Sequence, residues 1–240
     1  MAKYIARCQL TLHDNLYYAS HELGRFYETE KYLHNYGLTY ALGLVRPAPA
    51  YFNGSQVPRY QTELTPARLG SYYVTPAHPI RVDFSFVTFK MATVPYYAKS
   101  EPESGNRILY GRAKEIAPES YFEFFVFADE QGQLPHWIRL GKWMAKAELK
   151  YKWYEIGKEK SLAQRHEPST VQIVDCPLNP LDIKRNRLYA YDVITMPPVS
   201  LLSNVSVNGP CCKLGSDEFF NDPKDKVKFV PLNMGYFGAD

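Results

Sequence analysis

From Trp143 to Trp153 the chain alternates without a break: Trp143, Ala145, Ala147, Leu149, Tyr151 and Trp153 fall on one side, Lys146, Glu148, Lys150 and Lys152 on the other. A repeat of two marks a strand with one dry and one wet face, because successive side chains of extended backbone point to opposite sides. The pattern therefore places Trp143 in the core beside Trp153. The wet side is mostly lysine and is entered through Arg139, Gly141 and Lys142, so positive charge gathers on a short ribbon. Such a ribbon suits a phosphate backbone. It suits equally an exposed strand whose lysines keep it soluble and block edge pairing.

Other strands are legible from the same period. Tyr4 to Leu12 sets Tyr4, Ala6, Cys8, Leu10 and Leu12 against Arg7, Gln9 and Thr11, which predicts a first strand with one core face and one polar face. Tyr121 to Ala128, read as YFEFFVFA, is apolar on nearly both sides, which predicts a central strand covered on each face. Between them lie a polar, aromatic loop from His13 to Ser20 that carries Tyr17 and Tyr18, a Gly24-Arg25 turn, and a helix expected from about Glu28 to Leu42. Glu28 and Glu30 suit the positive end of that helix, Gly43 suits its exit and Pro47 cannot continue it. Tyr32, Tyr36 and Tyr40 recur every fourth residue, a stripe expected to pack on a sheet.

Prolines and short strand-like runs fill Arg46 to Arg112, too long for an ordinary connection. This reads as an inserted β-rich arm, with Val82 to Phe89 its clearest strand and Ala98 to Asn106 a polar tip. Lys90, Lys99, Arg107, Arg112 and Lys114 flank the tip, with Tyr96, Tyr97 and Tyr110 among them. Basic residues among tyrosines suit single-stranded nucleic acid; a solvated loop is the alternative. Ile156 to Glu167 reads as a loop or short helix, Thr170 to Val174 and Tyr189 to Thr195 as strands, and the chain beyond Pro198 as a loop-rich tail. The expectation is one domain over 1–240, with 46–112 as arm and 198–240 as tail, of α+β class on an antiparallel sheet.

Charge and motif exclude more than they assign. The 28 basic residues are nearly balanced by 25 acidic ones, so only local clustering can carry an interaction with nucleic acid. No apolar run approaches the ~20 residues of a membrane span, and Met1 to Leu10 is charged where a secretory signal needs an apolar block. The expectation is a cytoplasmic protein with no membrane partner. Cys8, Cys176, Cys211 and Cys212 lack metal-ligand spacing, and Cys8 falls on the apolar side of its strand. The six histidines form no ligand pair, and no nucleophile or phosphate-loop motif is present. No metal and no cofactor are indicated. A metal-free ribonuclease needs only a histidine or tyrosine against a 2′-hydroxyl, for which His21 and His34 are the candidates. Twenty tyrosines favour a binding surface that is apolar on one side and hydrogen-bonding on the other.

Three stretches together carry a family resemblance: YIARCQLTLHD (Tyr4 to Asp14), Gly24-Arg25 followed by EKYLHNY (Glu30 to Tyr36), and WIRLGKW (Trp137 to Trp143). The chain resembles, from Tyr4 to about Met196, the small Cas-five-type subunit of the type I-D CRISPR effector complex (Cascade), a member of the repeat-associated (RAMP) superfamily. The resemblance implies a ferredoxin-like, RNA-recognition-type core with an antiparallel sheet and a thumb, the place taken here by the arm. It implies a subunit that holds the 5′ handle of the guide RNA, caps a backbone of Cas-seven-type subunits and touches a Cas-ten-like large subunit, in antiviral DNA interference. A separate Cas-six-type nuclease then cuts the precursor, so binding without catalysis is implied; a metal-independent endoribonuclease acting on repeat RNA is the alternative. Target DNA next to the protospacer-adjacent motif falls within reach of the arm by position.

Carried onto this chain, Arg139 to Trp143 takes the place of the glycine-bearing loop that approaches RNA. A glycine there lets backbone amides come close to phosphate, and because Gly141 stands alone, Lys142 and Lys146 carry more of the contact. The expected RNA-binding residues are Tyr17, Tyr18, Arg25, Lys90, Lys99, Arg107, Arg112, Arg139, Gly141, Lys142, Trp143, Lys146 and Lys150, with no catalytic residue among them.

Overall fold

The structure, a computed structural model, describes residues 2–45, 58–90, 110–167, 171–184, 186–220 and 226–238. Strand β1 (Tyr4–Leu12) leads into a short hairpin, β2 (His21–Leu23) and β3 (Phe26–Glu28), and then helix α1 (Asn35–Ala41). Two single-turn helices, α2 (Tyr60–Glu63) and α3 (Pro66–Leu69), precede β4 (Tyr73–Val74), β5 (His78–Arg81) and β6 (Phe84–Lys90). Next come β7 (Tyr110–Ile116), β8 (Tyr121–Ala128), β9 (Trp137–Leu140) and β10 (Ala145–Glu155). Six further strands close the chain: β11 (Ala163–His166), β12 (Gln172–Ile173), β13 (Arg187–Ile194), β14 (Leu201–Asn208), β15 (Cys211–Leu214) and β16 (Lys228–Pro231). The protein is mostly β, with few helices and several antiparallel sheets.

The largest sheet runs β4-β8-β1-β10-β9, with β5 also on β8. β1 and β4 are both antiparallel to β8, so they are parallel to each other with β8 between them and α1 in their connection. That is a split β-α-β unit. Its first face is built as the period of two requires: Ala6, Cys8, Leu10 and Leu12 meet Phe122, Phe124 and Val126 of β8, Ala147 and Leu149 of β10, Leu38 of α1 and Leu42, which caps its C-terminus. Each Leu or Phe so buried contributes about 1.5–3 kcal/mol.

The second face is not the wet face that alternation predicts. Ile5, Phe125, Phe127 and Tyr154 pack there against Val205, Cys211, Leu214, Phe220, Val230 and Tyr236. Arg7 is 1% exposed; its Nε donates to Glu123 Oε1 at 2.6 Å, its guanidinium lies 4.5 Å over the Phe220 ring, and Lys228 Nζ sits 3.1 Å from Glu123 Oε2. A paired arginine buried at a polar position reads in sequence like one facing water. The segment 198–240, expected as a loop-rich tail, instead contributes β14, β15 and β16 and much of this core.

Two other expectations are corrected. The helix expected from Glu28 begins at Asn35, capped by His34, whose Nδ1 accepts from the Tyr36 amide. The residues before it serve the sheets instead: Phe26–Glu28 pairs in parallel with β7, the Thr29 amide donates to Lys114, and Leu33 bridges Ala77. The region 46–112 is not one arm. β4 and β5 join the main sheet through β8, and of the region's described strands before β7 only β6 departs, pairing with β7 in the four-stranded sheet β2-β3-β7-β6. The expected tip at 98–106, with Lys99 and Arg107, lies outside the described residues. The charged stretch after Ile156 includes a strand, β11. Among the described helices none is long and apolar enough to cross a membrane.

Candidate nucleic-acid interface

β9 and β10 form a hairpin in which Leu140 pairs with Ala145 and Arg139 with Lys146, leaving Gly141 to Met144 as the turn. Ile138, Leu140, Ala145 and Ala147 face the core, while Trp137 and Arg139 face out. The turn docks on the loop that follows β1: the Lys142 amide donates to the Tyr17 carbonyl at 2.9 Å. Gly141 has φ +72, and a Cβ there would lie 2.6 Å from the Tyr17 carbonyl oxygen. The glycine is thus required by the chain's own close approach. The neighbouring Lys142 amide is likewise engaged, by the Tyr17 carbonyl.

Trp143 is not in the core. The strand begins only at Ala145, so the indole swings out of the alternation and is 58% exposed. It stacks on Tyr17, 4.6 Å between centroids, while Tyr17 is buried and Lys142 Nζ stands 5.8 Å from the Tyr17 ring. Arg139 Nη1 donates to the Met144 carbonyl at 3.0 Å and lies 4.0 Å from Asp14. Asp14 also accepts from the Lys146 amide, and Lys146 Nζ lies 4.0 Å over the ring of Trp137, against which His13 packs. Lys142 and Lys146 form no ion pair with a described carboxylate. The hairpin tip is therefore an aromatic stack ringed by cations, the combination that holds bases by their faces and phosphates by charge.

The remaining expected residues divide by place. Tyr18 is committed elsewhere: its hydroxyl donates to the Glu30 carbonyl at 2.6 Å and also contacts the Tyr32 carbonyl, and its ring packs beside Leu201. Burial pushes its pKa up. Arg25 and Arg112 meet on the second sheet, where the Arg112 amide donates to the Arg25 carbonyl at 2.8 Å. Both are exposed, near the exposed Phe86 and Tyr110, and Lys90 pairs in register with Tyr110. Lys114 is engaged by Glu28 at 2.6 Å. Lys150 is exposed on β10, opposite Gln9 in register. Beyond it, Lys152 bonds Asp217 at 2.7 Å and Tyr154 donates to the same carboxylate at 2.6 Å. Although burial raises the Asp217 carboxyl, those donors bring it down to about 2.

Two residues of the tip, Trp137 and Met144, escaped the sequence reading. Trp137 alternates with Ile138 and pairs with the strand that carries Lys146, a signal masked by the habit of assigning tryptophan to cores. Met144 has no sequence signal, because its exposure follows from the turn. Of the two candidate acid–base histidines, His34 is buried as a helix cap and burial holds its pKa near 4, out of reach of a ligand; His21 lies on β2. Among the described residues no cluster of three or more His, Cys, Asp or Glu could hold a metal ion, and the four cysteines are free and buried.

The geometry defines a β-sheet protein built on a split β-α-β unit, with a cation-ringed aromatic hairpin at one end. The chain belongs to the family described as type I-D CRISPR-associated protein Cas5/Csc1, whose match spans residues 3–239. Among solved structures it is similar to a chain of the type III-B Cmr-beta complex bound to cognate target RNA and AMPPnP, determined by cryo-EM, at 9% identity, covering 84% of this chain and 85% of that one with a TM-score of 0.39. A comparison with curated proteins finds no match.

Proposed function

We propose that this protein is a non-catalytic RNA-binding subunit of a type I-D CRISPR effector complex that holds the 5′ handle of the guide RNA. The observation that carries the proposal is the exposed Trp143, backed by Tyr17 and flanked by Lys142, Arg139 and Lys146, on a chain of this family. The indole offers a base its open face, a contact worth about 1–3 kcal/mol, and each lysine–phosphate contact adds ~0.7 to the salt slope on a single strand. Arg25 and Arg112, beside Phe86 and Tyr110, form a second cationic and aromatic surface on the sheet β2-β3-β7-β6.

The core supports the family's ferredoxin-like, RNA-recognition-type plan. In the order β10-β1-β8-β4, the fourth, first, third and second core strands lie side by side, the arrangement of a β-α-β-β-α-β unit. The β9 hairpin stands where that unit has its second helix. Capping of the Cas-seven-type backbone, contact with a Cas-ten-like large subunit and proximity to the protospacer-adjacent duplex belong to the same proposal. Crosslinking of the assembled particle tests it. Guide-RNA adducts are expected on Arg139–Lys146 and on the β6–β7 sheet, and their absence from both surfaces overturns the handle-holding role. Repeat RNA incubated with the purified chain is expected to remain uncut; cleavage lost in His21→Ala would overturn the non-catalytic reading.

A further inference from the structure

Met144 stands out at the hairpin tip. It is a non-glycine residue at φ +56, a left-handed backbone that an L side chain adopts only at a conformational cost. It is also 60% exposed, so the strain is not offset by burial. The strained residue is nonetheless held firmly: Arg139 Nη1 donates to its carbonyl at 3.0 Å, and its own amide closes the turn on the Gly141 carbonyl at 3.4 Å. The turn is anchored in turn by the Lys142 amide on the Tyr17 carbonyl. A braced, strained backbone that presents an unbranched apolar side chain to solvent indicates a contact made outside the chain.

The neighbours identify that contact. Trp143, adjacent in sequence, has one face occupied by Tyr17 and 58% of its surface open. Lys142 and Lys146 carry charge unpaired by any described carboxylate, and Arg139 is only 4.0 Å from Asp14. An apolar wedge next to an open indole, surrounded by cations, complements a polyanion with stackable rings more closely than it does a protein surface. Apolar side chains that enter base steps unstack them and bend the strand.

We infer that Met144 is a wedge that opens one base step of the bound single-stranded RNA, with the base on one side of the step stacked on Trp143. The inference rests on the handle-holding role and assigns that role a defined distortion. Arg139 is then a positioning residue that braces the wedge, rather than a phosphate contact.

The full chain and a single-stranded RNA copying the 5′ handle, with 2-aminopurine substituted at one position at a time, provide the test. One position is expected to brighten several-fold on binding as its step opens, and its neighbour to dim against Trp143. Met144→Gly, whose new residue adopts positive φ freely, is expected to abolish the brightening while the fold is kept; Trp143→Leu is expected to abolish the dimming. Brightening that persists in Met144→Gly, or binding with no bright position, overturns the wedge and leaves RNA binding standing. Failure of the wild-type chain to bind the RNA overturns the handle-holding role itself. If Met144→Gly leaves fluorescence unchanged but weakens assembly with a protein subunit, the tip is a protein contact and the wedge is refuted.

Discussion

Tyr17 lies beneath Trp143 with ring centroids 4.6 Å apart and planes inclined by 26°, and the backbone that brings them together tolerates no side chain at position 141. A Cβ on Gly141 would meet the Tyr17 carbonyl oxygen at 2.6 Å, at a φ of +72. Gly141→Ala is therefore expected to destabilise the protein by about 2 kcal/mol, the left-handed backbone alone costing ~1–2 kcal/mol, and to separate the two rings. A lower Tm together with altered tryptophan fluorescence is the expected pair of readouts. Unchanged values of both would show that the turn relaxes freely.

The buried charges make a second prediction. Arg7 and Lys228 share Glu123, all three almost fully buried. Glu123→Gln removes the carboxylate that both cations contact and is expected to cost about 3–5 kcal/mol, whereas replacing all three by apolar residues of similar size is expected to recover most of the loss. Denaturant unfolding of the single and triple variants measures both.

Stability against pH follows from two groups that act oppositely. Burial holds the His34 imidazole near 4 against an ordinary 6.5, so the unfolded chain binds the extra proton and stability falls as pH drops through that window. Burial raises the Asp182 carboxyl from 3.8 to about 6, despite donors from the Phe237 amide, Asn35 and Tyr73; the folded chain binds the extra proton, and stability rises as pH drops from 6 towards 4. Each amounts to about 3 kcal/mol at the acid end, so in the wild type they largely cancel. Asp182→Asn is expected to sharpen the acid loss relative to wild type and His34→Gln to reduce it, as read from Tm between pH 4 and 7. Parallel curves for all three proteins would refute the assignment.

Lysines of the β9–β10 hairpin are expected to differ in their hold on RNA. Lys142, at the tip, should lower the salt slope by about 0.7 when replaced by alanine. Lys152, tied to Asp217 at 2.7 Å, should leave the slope unchanged. Binding titrations across a series of salt concentrations separate the two, and equal slopes for both variants would dissolve the distinction.

Period-two patterning was readable wherever it coincided with burial. β1 and β8 lie at Tyr4–Leu12 and Tyr121–Ala128, the bounds their alternation and apolarity indicate. It misled where a polar residue is buried with a partner, as at Arg7, because a pattern records residue type and not pairing. It misled again at Trp143, where a turn interrupts the strand and the alternation continues by accident. The strands from Leu201 onward are hidden in the sequence because their serines, asparagines and cysteines look like loop chemistry until a second core face needs them. Of the site, the basic turn around Gly141 was visible in sequence; the Tyr17 stack was not, since it joins residues far apart along the chain through a backbone contact.

The coverage of the main sheet on both faces sets the order in which the chain can mature. Tyr236 bonds Thr39, 197 positions away, and Lys228 reaches the carboxylate that also holds Arg7 on the first strand. The opening strand emerges from the ribosome early, but its second face stays open until the segment after Cys211 has been made. Contacts of such sequence separation slow folding, so a nascent chain halted before that point would display Ile5, Phe125 and Phe127 to solvent and become a client for chaperones.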